Sequence, residues 1–454
     1  MGFVDEYFLL ENECARDLYF NSAKDCPVVD FHNHLPVKDI CEDRTYPDIG
    51  TLWVCSDPYK HRAMRLMGLD ERLISGGATP REKFDAWCEV LPSLVGNPLF
   101  HWSCLEMKRF FGLDDIPDGK NAGMVWDCCN ALLKEDSFSM NSMLSQAGVV
   151  KASTSDDLLD DTGLHVKASE RSGMDITPSL RADSILGFNA SWMERLNAED
   201  PTLEGYLQAV STRLDLFGEN GCRLSDHALD NGFAFKKTSK SRASALFRKK
   251  ESLGTLEMIE LRSFILEWLG RQYARRGWVM QLHIGAERWT SSRLRKTAGP
   301  AGGFACPGSS CDIRSLCDFL DSIDRDGMMP KVILYTLNPA DNAALATLTG
   351  SFSESGVQKM KFGPAWWFND HLYGIEENLE ILSSYALLSQ ALGMTTDSRN
   401  VLSFSRHEYF RRILCNWIGK KVSKGLFPAD SELLDTIVKD ICYRNANNWI
   451  YEQG

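Results

Sequence analysis

The stretch Val28–His34 constrains the fold of this chain more than any other part of the sequence. A short run of β-branched and apolar residues leads into His32 and His34, and side chains two positions apart on a strand point to the same face. Two neutral imidazoles on one face can chelate one metal ion. Leu35 and Pro36 follow at once, which ends the strand and places the pair at its carboxyl end, where α/β barrels hold their chemistry. A buried strand with two hydrogen-bonded histidines is the alternative that this pattern leaves open.

Composition and charge narrow the class of protein. With 454 residues, 44% of them hydrophobic and 25% charged, the chain can form one large barrel with insertions or two to three smaller domains. The net charge of −12 and the lack of basic stripes disfavour nucleic-acid binding. The fourteen cysteines form no CxxC pair, and the sequence shows neither a signal-peptide pattern nor a run of about 20 apolar residues. We therefore expect a cytoplasmic protein with no nucleic-acid or membrane partner.

The order of predicted elements favours a barrel. Residues 36–147 show helical spacing with little strand signal, and Asp57–Pro58 begins a helix there, so we predict a helical insertion after the first strand. Seven further strand candidates follow from residue 148: Gly148–Ser155, Asp175–Asp183, Gly221–Ala228, Trp278–Ala286, Lys331–Asn338, Lys359–Phe368 and Leu392–Arg399. Eight strand–helix units predict an α/β fold with a (β/α)₈ TIM-type barrel. Its parts would be strand 1 with an N-terminal helix (1–35), the insertion (36–147) and the remaining barrel (148–454).

Chemically active residues recur at the predicted strand ends, which must meet at one mouth of a barrel. Four of the nine histidines fall there. The full set is His32, His34, Arg181, Asp183, Asp226, His227, His283, Arg288, Trp366, Trp367, Asp397 and Arg399. Two imidazoles and a carboxylate with an open position form a catalytic divalent-metal site, and arginines at such a mouth suit a carboxylate or phosphate ligand.

Each of these assignments has a structural alternative. Asp226 would also suit a helix cap or a partner for His227, and His227 itself suits a core position. Arg288 and Arg399 would also suit surface ion pairs. Trp366 and its neighbour would suit barrel packing as well as stacking on a sugar.

At these residues the chain resembles the uronate isomerases of the amidohydrolase superfamily. The resemblance runs nearly end to end and rests on nine stretches: Asp30–His34, Arg62–Arg65, Gly96–Trp102, Ser225–His227, Gln281–Ala286, Tyr335–Asn342, Ala365–Asp370, Thr396–Arg399 and Arg406–Arg412. It implies a metal-containing barrel that interconverts D-glucuronate with D-fructuronate and D-galacturonate with D-tagaturonate. It also implies a small-molecule hexuronate as substrate, and we expect a homo-oligomer.

The resemblance also implies roles for individual residues. The metal ligands would be His32, His34 and Asp397, and the ion one divalent metal: zinc first, with manganese or iron suited to the same ligands. The catalytic candidates would be Asp397, Tyr59, Asp226 and His283, and the substrate contacts Arg181, Arg288, Arg399 and Trp366. The family usually has a His-Tyr pair where this chain reads Pro58–Tyr59, so an imidazole contact is lost or replaced here.

Isomerisation would move a proton between neighbouring carbons through an enediol. It needs a base, polarisation of the carbonyl oxygen and a clamp on the acyclic sugar. The sequence leaves the proton carrier open, with Asp397 as the first candidate. A metal-dependent hydrolase on the same barrel and a sugar-acid-binding relative that has lost catalysis are the two competing hypotheses.

Overall fold

The computed structural model describes residues 2–300, 302–354, 356 and 358–452. Its strands are β1 (Val28–Asn33), β2 (Val149–Asp157), β3 (Asp175–Arg181), β4 (Leu224–Leu229), β5 (Val279–Ile284), β6 (Ala286–Glu287), β7 (Cys306–Pro307), β8 (Lys331–Thr336) and β9 (Met360–Phe362). Seven of them form one sheet in the order β1-β2-β3-β4-β5-β8-β9. Every neighbouring pair in this sheet is parallel, and β6 pairs with β7 as a short antiparallel ribbon. The predicted α/β class is confirmed, and the sheet is consistent with a TIM-type barrel.

Helices separate the strands and cover the sheet. The α-helices are α1 (Glu13–Leu18), α2 (Val37–Glu42), α3 (Ile49–Trp53), α4 (Pro58–Leu66), α5 (Glu71–Ile74), α6 (Pro80–Val90), α7 (Pro98–Phe111), α8 (Ala122–Leu132), α9 (Met140–Gln146), α10 (Gly163–Ser172), α11 (Asp183–Gly187), α12 (Ala190–Leu196), α13 (Leu203–Glu219), α14 (Lys240–Phe247), α15 (Thr255–Arg276), α16 (Ser292–Ala298), α17 (Ile313–Asp324), α18 (Asn342–Leu348), α19 (Leu372–Tyr385), α20 (Arg406–Ser423) and α21 (Ser431–Lys439). Eight of these, α2 to α9, lie between β1 and β2. Within the described residues, no helix is both long and apolar enough to span a membrane.

Burial on both faces explains the composition of the strands. All six residues of β1 and all six of β5 are buried, as expected for parallel strands between helices and a filled interior. On the interior side, Val29, Phe31, Leu224, Val279 and Ile333 belong to one apolar cluster. This cluster forms a packed floor beneath the carboxyl ends of the strands.

The predicted strand at 392–399 is wrong: none of these residues, all of them described, has strand pairing. The segment nevertheless runs beside β1, because Asp397 N donates to His32 O (3.0 Å) and His34 N donates to Ser398 O (2.9 Å). Side chains replace further ladder bonds: Thr395 Oγ1 donates to His32 O (2.6 Å) and Thr396 N donates to the Asp30 carboxylate (2.9 Å). A positive φ of 47° at Asp397 also breaks the regular repeat.

The strand predicted at Lys359–Phe368 is too long, since β9 ends at Phe362. Gly363 follows, and a Cβ there would lie 2.8 Å from the Tyr335 ring, so the chain can pass this point only with glycine. Trp366 therefore sits on the loop after the strand rather than on the strand itself.

Candidate active site

One cavity of about 640 Å³ opens at the carboxyl ends of the strands. All ten residues assigned a role from the sequence line it: His32, His34, Tyr59, Arg181, Asp226, His283, Arg288, Trp366, Asp397 and Arg399. They come from β1 and the residue that follows it, from α4, β3, β4 and β5, from the loops after β6 and β9, and from the 392–399 segment. The parallel sheet thus gathers groups that are up to 367 residues apart in the chain, as the barrel argument requires.

His32 and His34 converge on the carboxylate of Asp397. The Nε2 atoms of the two imidazoles lie 3.3 and 3.0 Å from Asp397 Oδ1. The histidines share a face through the period-two alternation of β1, and the left-handed backbone at Asp397 aims its carboxylate back at them. Backbone strain of this kind is concentrated at functional sites.

The donor set of these three residues fits a divalent metal ion. Their ligand atoms, two imidazole nitrogens and one carboxylate oxygen, all lie within 4.8 Å of one another. Trp366 Nε1 donates to the other oxygen, Asp397 Oδ2, at 2.9 Å. This bond holds the carboxylate so that only Oδ1 faces the histidines, which is the role of the residues that surround a metal ligand.

The electrostatics of the triad keep the carboxylate ionised. Burial opposes ionisation of Asp397, but hydrogen bonds from His32 and His34 hold its pKa well below the usual value. Burial also disfavours a charged His32, yet the carboxylates of Asp226 and Asp397 raise its pKa to about 9. Burial lowers the pKa of His34. The pKa values of the two imidazoles are therefore shifted in opposite directions although both contact the same carboxylate oxygen.

A second buried pair, Asp226 and His283, faces His32. His283 Nδ1 lies 2.7 Å from Asp226 Oδ1, and Ser155 Oγ donates to Asp226 Oδ2 at 3.1 Å. The His283 ring stacks on Tyr335 with 4.4 Å between centroids. Burial opposes ionisation of Asp226, but the nearby imidazoles of His283 and His32 lower its pKa, while burial lowers the pKa of His283.

His227, the neighbour of Asp226, takes no part in the cavity. It points to the other face of β4 and packs against Tyr273 at 5.5 Å between ring centroids. Burial lowers its pKa to about 4, so the imidazole is neutral. Asp226 therefore pairs with His283 rather than with His227, and the core reading of His227 is the correct one.

Arg181, Arg288 and Arg399, the three arginines predicted as substrate contacts, line the cavity and differ in their partners. Arg181 Nε donates to Asp183 (3.2 Å) and Arg288 Nε donates to Asp230 (2.9 Å). Among the described residues, Arg399 has no carboxylate partner within salt-bridge distance and makes no side-chain hydrogen bond. Burial lowers its pKa, and repulsion from Arg181 and Arg288 adds to that effect. Of these three arginines, Arg399 alone has a guanidinium without an acidic partner among the described residues, which is the arrangement that suits an anionic ligand.

Tyr59 reaches the cavity from the first turn of α4. Asp57 caps this helix by accepting from the backbone N–H groups of Tyr59 (2.9 Å) and Lys60 (3.3 Å), and Pro58 occupies the first helical position. This is the start predicted from the sequence. Burial, followed by the charge of Asp370, raises the pKa of Tyr59 well above its usual value, so the phenol stays protonated.

Sequence reasoning missed the groups that lie behind Tyr59. Tyr59 Oη donates to Asp370 Oδ2 at 2.8 Å, and Arg406 Nη1 donates to the same oxygen at 2.7 Å. Buried Lys60 also pairs with Asp57 (2.7 Å) and with Glu106 (3.5 Å). Asp370 and Arg406 belong to two of the stretches that carry the family resemblance. Asp370 follows the predicted strand Lys359–Phe368 by two residues, and this spacing is the signal that could have placed it at the mouth, whereas Arg406 lies seven residues beyond the last predicted strand.

Fold and site together define an α/β protein whose parallel sheet is consistent with a TIM-type barrel and whose cavity combines a candidate divalent-metal site with a cluster of arginines. Comparison with known proteins specifies the class further. The family model described as glucuronate isomerase matches residues 1–450. The chain therefore belongs to the glucuronate (uronate) isomerase family.

Individual relatives cover the whole chain. A uronate isomerase of Caldanaerobacter subterraneus subsp. tengcongensis is 42% identical over 462 residues, which covers 99% of each chain. A uronate isomerase of Halalkalibacterium halodurans is 41% identical over 458 residues, covering 98% of this chain and 97% of the relative. The crystal structure of a uronate isomerase from Thermotoga maritima superposes with a TM-score of 0.93 at 32% identity, covering 99% of this chain and 100% of that one.

Proposed function

We propose that this protein is an aldose–ketose isomerase of hexuronic acids, which converts D-glucuronate to D-fructuronate and D-galacturonate to D-tagaturonate. The observation that carries the proposal is the meeting, in one cavity, of the His32–His34–Asp397 triad with the unpaired Arg399. A carboxylate at one end of the sugar and a carbonyl at the other match these two halves of the site. The full-length family match supports the same substrate class.

In this proposal the arginines bind the substrate carboxylate. Arg399 makes the main contact because its guanidinium has no competing acid, while Arg181 and Arg288 are already oriented by Asp183 and Asp230. A guanidinium can bind a carboxylate through two parallel hydrogen bonds. This fixes the acyclic sugar with its carbonyl end towards the triad. Trp366 lines the cavity but is held against Asp397 and His283, so its role is to shape the wall.

A divalent ion held by His32, His34 and Asp397 would polarise a carbonyl or hydroxyl oxygen of the sugar. Zinc, manganese and iron all accept imidazole and carboxylate ligands, with zinc our first choice. The protein's own residues then handle the proton.

The candidates for proton transfer are Asp397, Tyr59, Asp226 and His283. Since His283 Nδ1 bonds to the ionised Asp226, the neutral imidazole carries its hydrogen on Nδ1 and presents Nε2 as an acceptor. This arrangement suits removal of a proton from the carbon next to the carbonyl and its return to the neighbouring carbon. Asp397 has both oxygens occupied by His32, His34 and Trp366, which favours a ligand role over a free base.

The experiment is turnover of D-glucuronate and D-galacturonate followed by NMR detection of the ketose. Formation of D-fructuronate and D-tagaturonate, lost on treatment with a chelator and restored by a divalent metal, would support the proposal. Hydrolysis of a sugar lactone without ketose formation would favour the metal-dependent hydrolase. Saturable uronate binding without any product would favour the binding relative, for which Pro58 in place of the usual histidine is the one argument.

The finer architecture belongs to the same proposal. We infer a closed eight-stranded barrel in which the 392–399 segment takes the eighth position beside β1. Residues 36–147 would then be a helical insertion that delivers Tyr59, between residues 1–35 and the remaining barrel at 148–454. All fourteen cysteines are free thiols, which supports the predicted cytoplasmic location. Sedimentation velocity would test the predicted homo-oligomer.

A further inference from the structure

A buried acid and a buried arginine stand behind Tyr59. Asp370 is 4% exposed and Arg406 is 2% exposed. Asp370 Oδ2 accepts two hydrogen bonds, one from Tyr59 Oη at 2.8 Å and one from Arg406 Nη1 at 2.7 Å. Neither Asp370 nor Arg406 lines the main cavity with Tyr59, and the hydrogen bond from Tyr59 is the direct contact between Asp370 and a residue of that cavity.

Arg406 connects this acid to the segment that carries the metal-ligand candidate. Its second amino group, Nη2, donates to the carbonyl oxygen of Thr396, the residue before Asp397. Its guanidinium lies 4.8 Å from the centre of the Trp102 ring. The planar guanidinium of Arg406 thus sets the position of the Asp370 carboxylate relative to Asp397.

The hydrogen-bond directions determine how Tyr59 can act. A guanidinium only donates hydrogen bonds, so the Asp370 oxygen that Arg406 contacts is an acceptor. Burial raises the pKa of Asp370, and the positive charge of Arg406 opposes that rise. Tyr59 donates its single hydroxyl hydrogen to Asp370 in a hydrogen bond, so only the lone pairs of the phenol oxygen remain to contact a ligand in the cavity. Tyr59 therefore faces a ligand as a hydrogen-bond acceptor and not as a donor.

The geometry points to Asp370 as a positioning residue, held by Arg406, that fixes Tyr59 as the acceptor for a hydroxyl group of the acyclic sugar. This inference rests on the proposed function, which makes Tyr59 a substrate contact. It predicts that Asp370 matters for the reaction only while Tyr59 has a hydroxyl group. A purely structural ion pair would matter equally with or without that hydroxyl.

A double-mutant cycle separates these two roles. We would measure kcat and KM on D-glucuronate for the wild type, Asp370→Asn, Tyr59→Phe and the double variant. The side-chain amide of Asp370→Asn can donate to Tyr59, which would reverse the direction of the bond. We expect a 10- to 100-fold loss of kcat/KM in each single variant, mainly in kcat. In the Tyr59→Phe background, Asp370→Asn should lower kcat/KM by less than about threefold.

Glu106→Gln is the matched control. Glu106 is also a buried acid (2% exposed), and it contacts Lys60 of the same helix α4 without touching Tyr59. Any loss that it causes should be the same factor with Tyr59 and with Phe at position 59. If Asp370→Asn does not fold, Asp370→Glu replaces it, because this variant keeps the charge opposite Arg406 but moves the carboxylate by one methylene. We expect it to lower kcat/KM when Tyr59 is present and much less when position 59 is Phe.

Two outcomes overturn the inference alone: wild-type kinetics in Asp370→Asn, or an equal loss in both backgrounds. Failure of the proposed function is recognised separately, with L-gulonate, the reduced form of D-glucuronate, as a probe that cannot isomerise. If the wild type binds L-gulonate in calorimetry but forms no ketose from D-glucuronate or D-galacturonate, the proposed function fails. The cycle is then evaluated from the Kd of L-gulonate, where coupling between Asp370 and Tyr59 would support the inference and additive effects would overturn it.

Discussion

Replacement of Arg399 by methionine tests the anion site most directly. Arg399 forms no ion pair among the described residues, so its removal leaves no carboxylate without a partner. A hydrogen bond between a guanidinium and a carboxylate contributes about 1.5–3 kcal/mol. At about 1.4 kcal/mol for each tenfold change, Arg399→Met should lower kcat/KM on both uronates by about 10- to 150-fold, with most of the change in KM.

The stability of the same variant should move in the opposite direction. Burial, together with repulsion from Arg181 and Arg288, outweighs the attraction of Asp397 and lowers the pKa of Arg399. The folded protein thus disfavours this charge, so Arg399→Met should leave Tm unchanged or raise it. Arg288→Met provides the contrast, because it removes the partner of Asp230, whose pKa burial already raises. That variant should lower both kcat/KM and Tm.

The assays are steady-state kinetics on D-glucuronate, D-galacturonate and the neutral aldose D-glucose, with thermal unfolding of each variant. Together they test whether Arg399 binds the substrate carboxylate. We expect D-glucose to be a poor substrate of the wild type, because it has no carboxylate. Its low turnover should be nearly unaffected by Arg399→Met. An equal loss on D-glucose would show that Arg399 acts on the fold or on the triad. An unchanged kcat/KM on the uronates would refute the anion-site argument.

Three further predictions concern other parts of the molecule. His34→Ala removes one of three ligands, so metal analysis should show loss of bound divalent metal together with activity, whereas His101→Ala, outside the cavity, should keep both; a metal-replete and active His34→Ala would contradict the ligand assignment. Pro58→His replaces the first residue of α4, where proline makes no required hydrogen bond, so its free energy of unfolding should change by no more than about 1 kcal/mol. If the family's imidazole assists proton transfer, this variant should also gain up to about 100-fold in kcat/KM, and a loss would show that another residue has replaced it. Hydrogen bonds from Arg65 lower the pKa of Glu71 from 4.5 to about 2, so its stabilising contribution is complete above about pH 4.5 and is lost as the pH falls towards 2; Tm measured over this range should depend less on pH in Glu71→Gln.

The sequence predicts the site better than the details of the fold around it. The period-two alternation along a strand and the chemistry of imidazole pairs suffice to predict that His32 and His34 share a face, and the strand-end rule gathers Asp226 and His283 with them. Arg399 reaches the same cavity although the strand predicted to carry it is not formed. These inferences depend on local patterns that tertiary contacts do not override.

Two failures have the same physical origin. The 392–399 segment has the apolar and β-branched residues typical of a strand. Hydrogen bonds to the Asp30 side chain and from the Thr395 hydroxyl replace part of its backbone ladder, and the backbone turns at Asp397. Asp370 and Arg406 were missed as site residues because their function depends on contacts with Tyr59, more than 300 positions away. No periodicity within a single element reports such contacts, so only the folded chain displays them.

The position of β1 between partners from both halves of the chain has a consequence for biosynthesis. One edge of β1 pairs with β2, whereas the other is bonded to residues 395–398, over 360 positions later. Such high sequence separation slows folding, and during translation His32 and His34 emerge long before Asp397. At 5–20 residues per second, the ribosome needs roughly 20–70 s to make the intervening chain. Throughout that interval His32 and His34 are present without Asp397, so the ligand set proposed for the metal is complete only when nearly the whole polypeptide has been made.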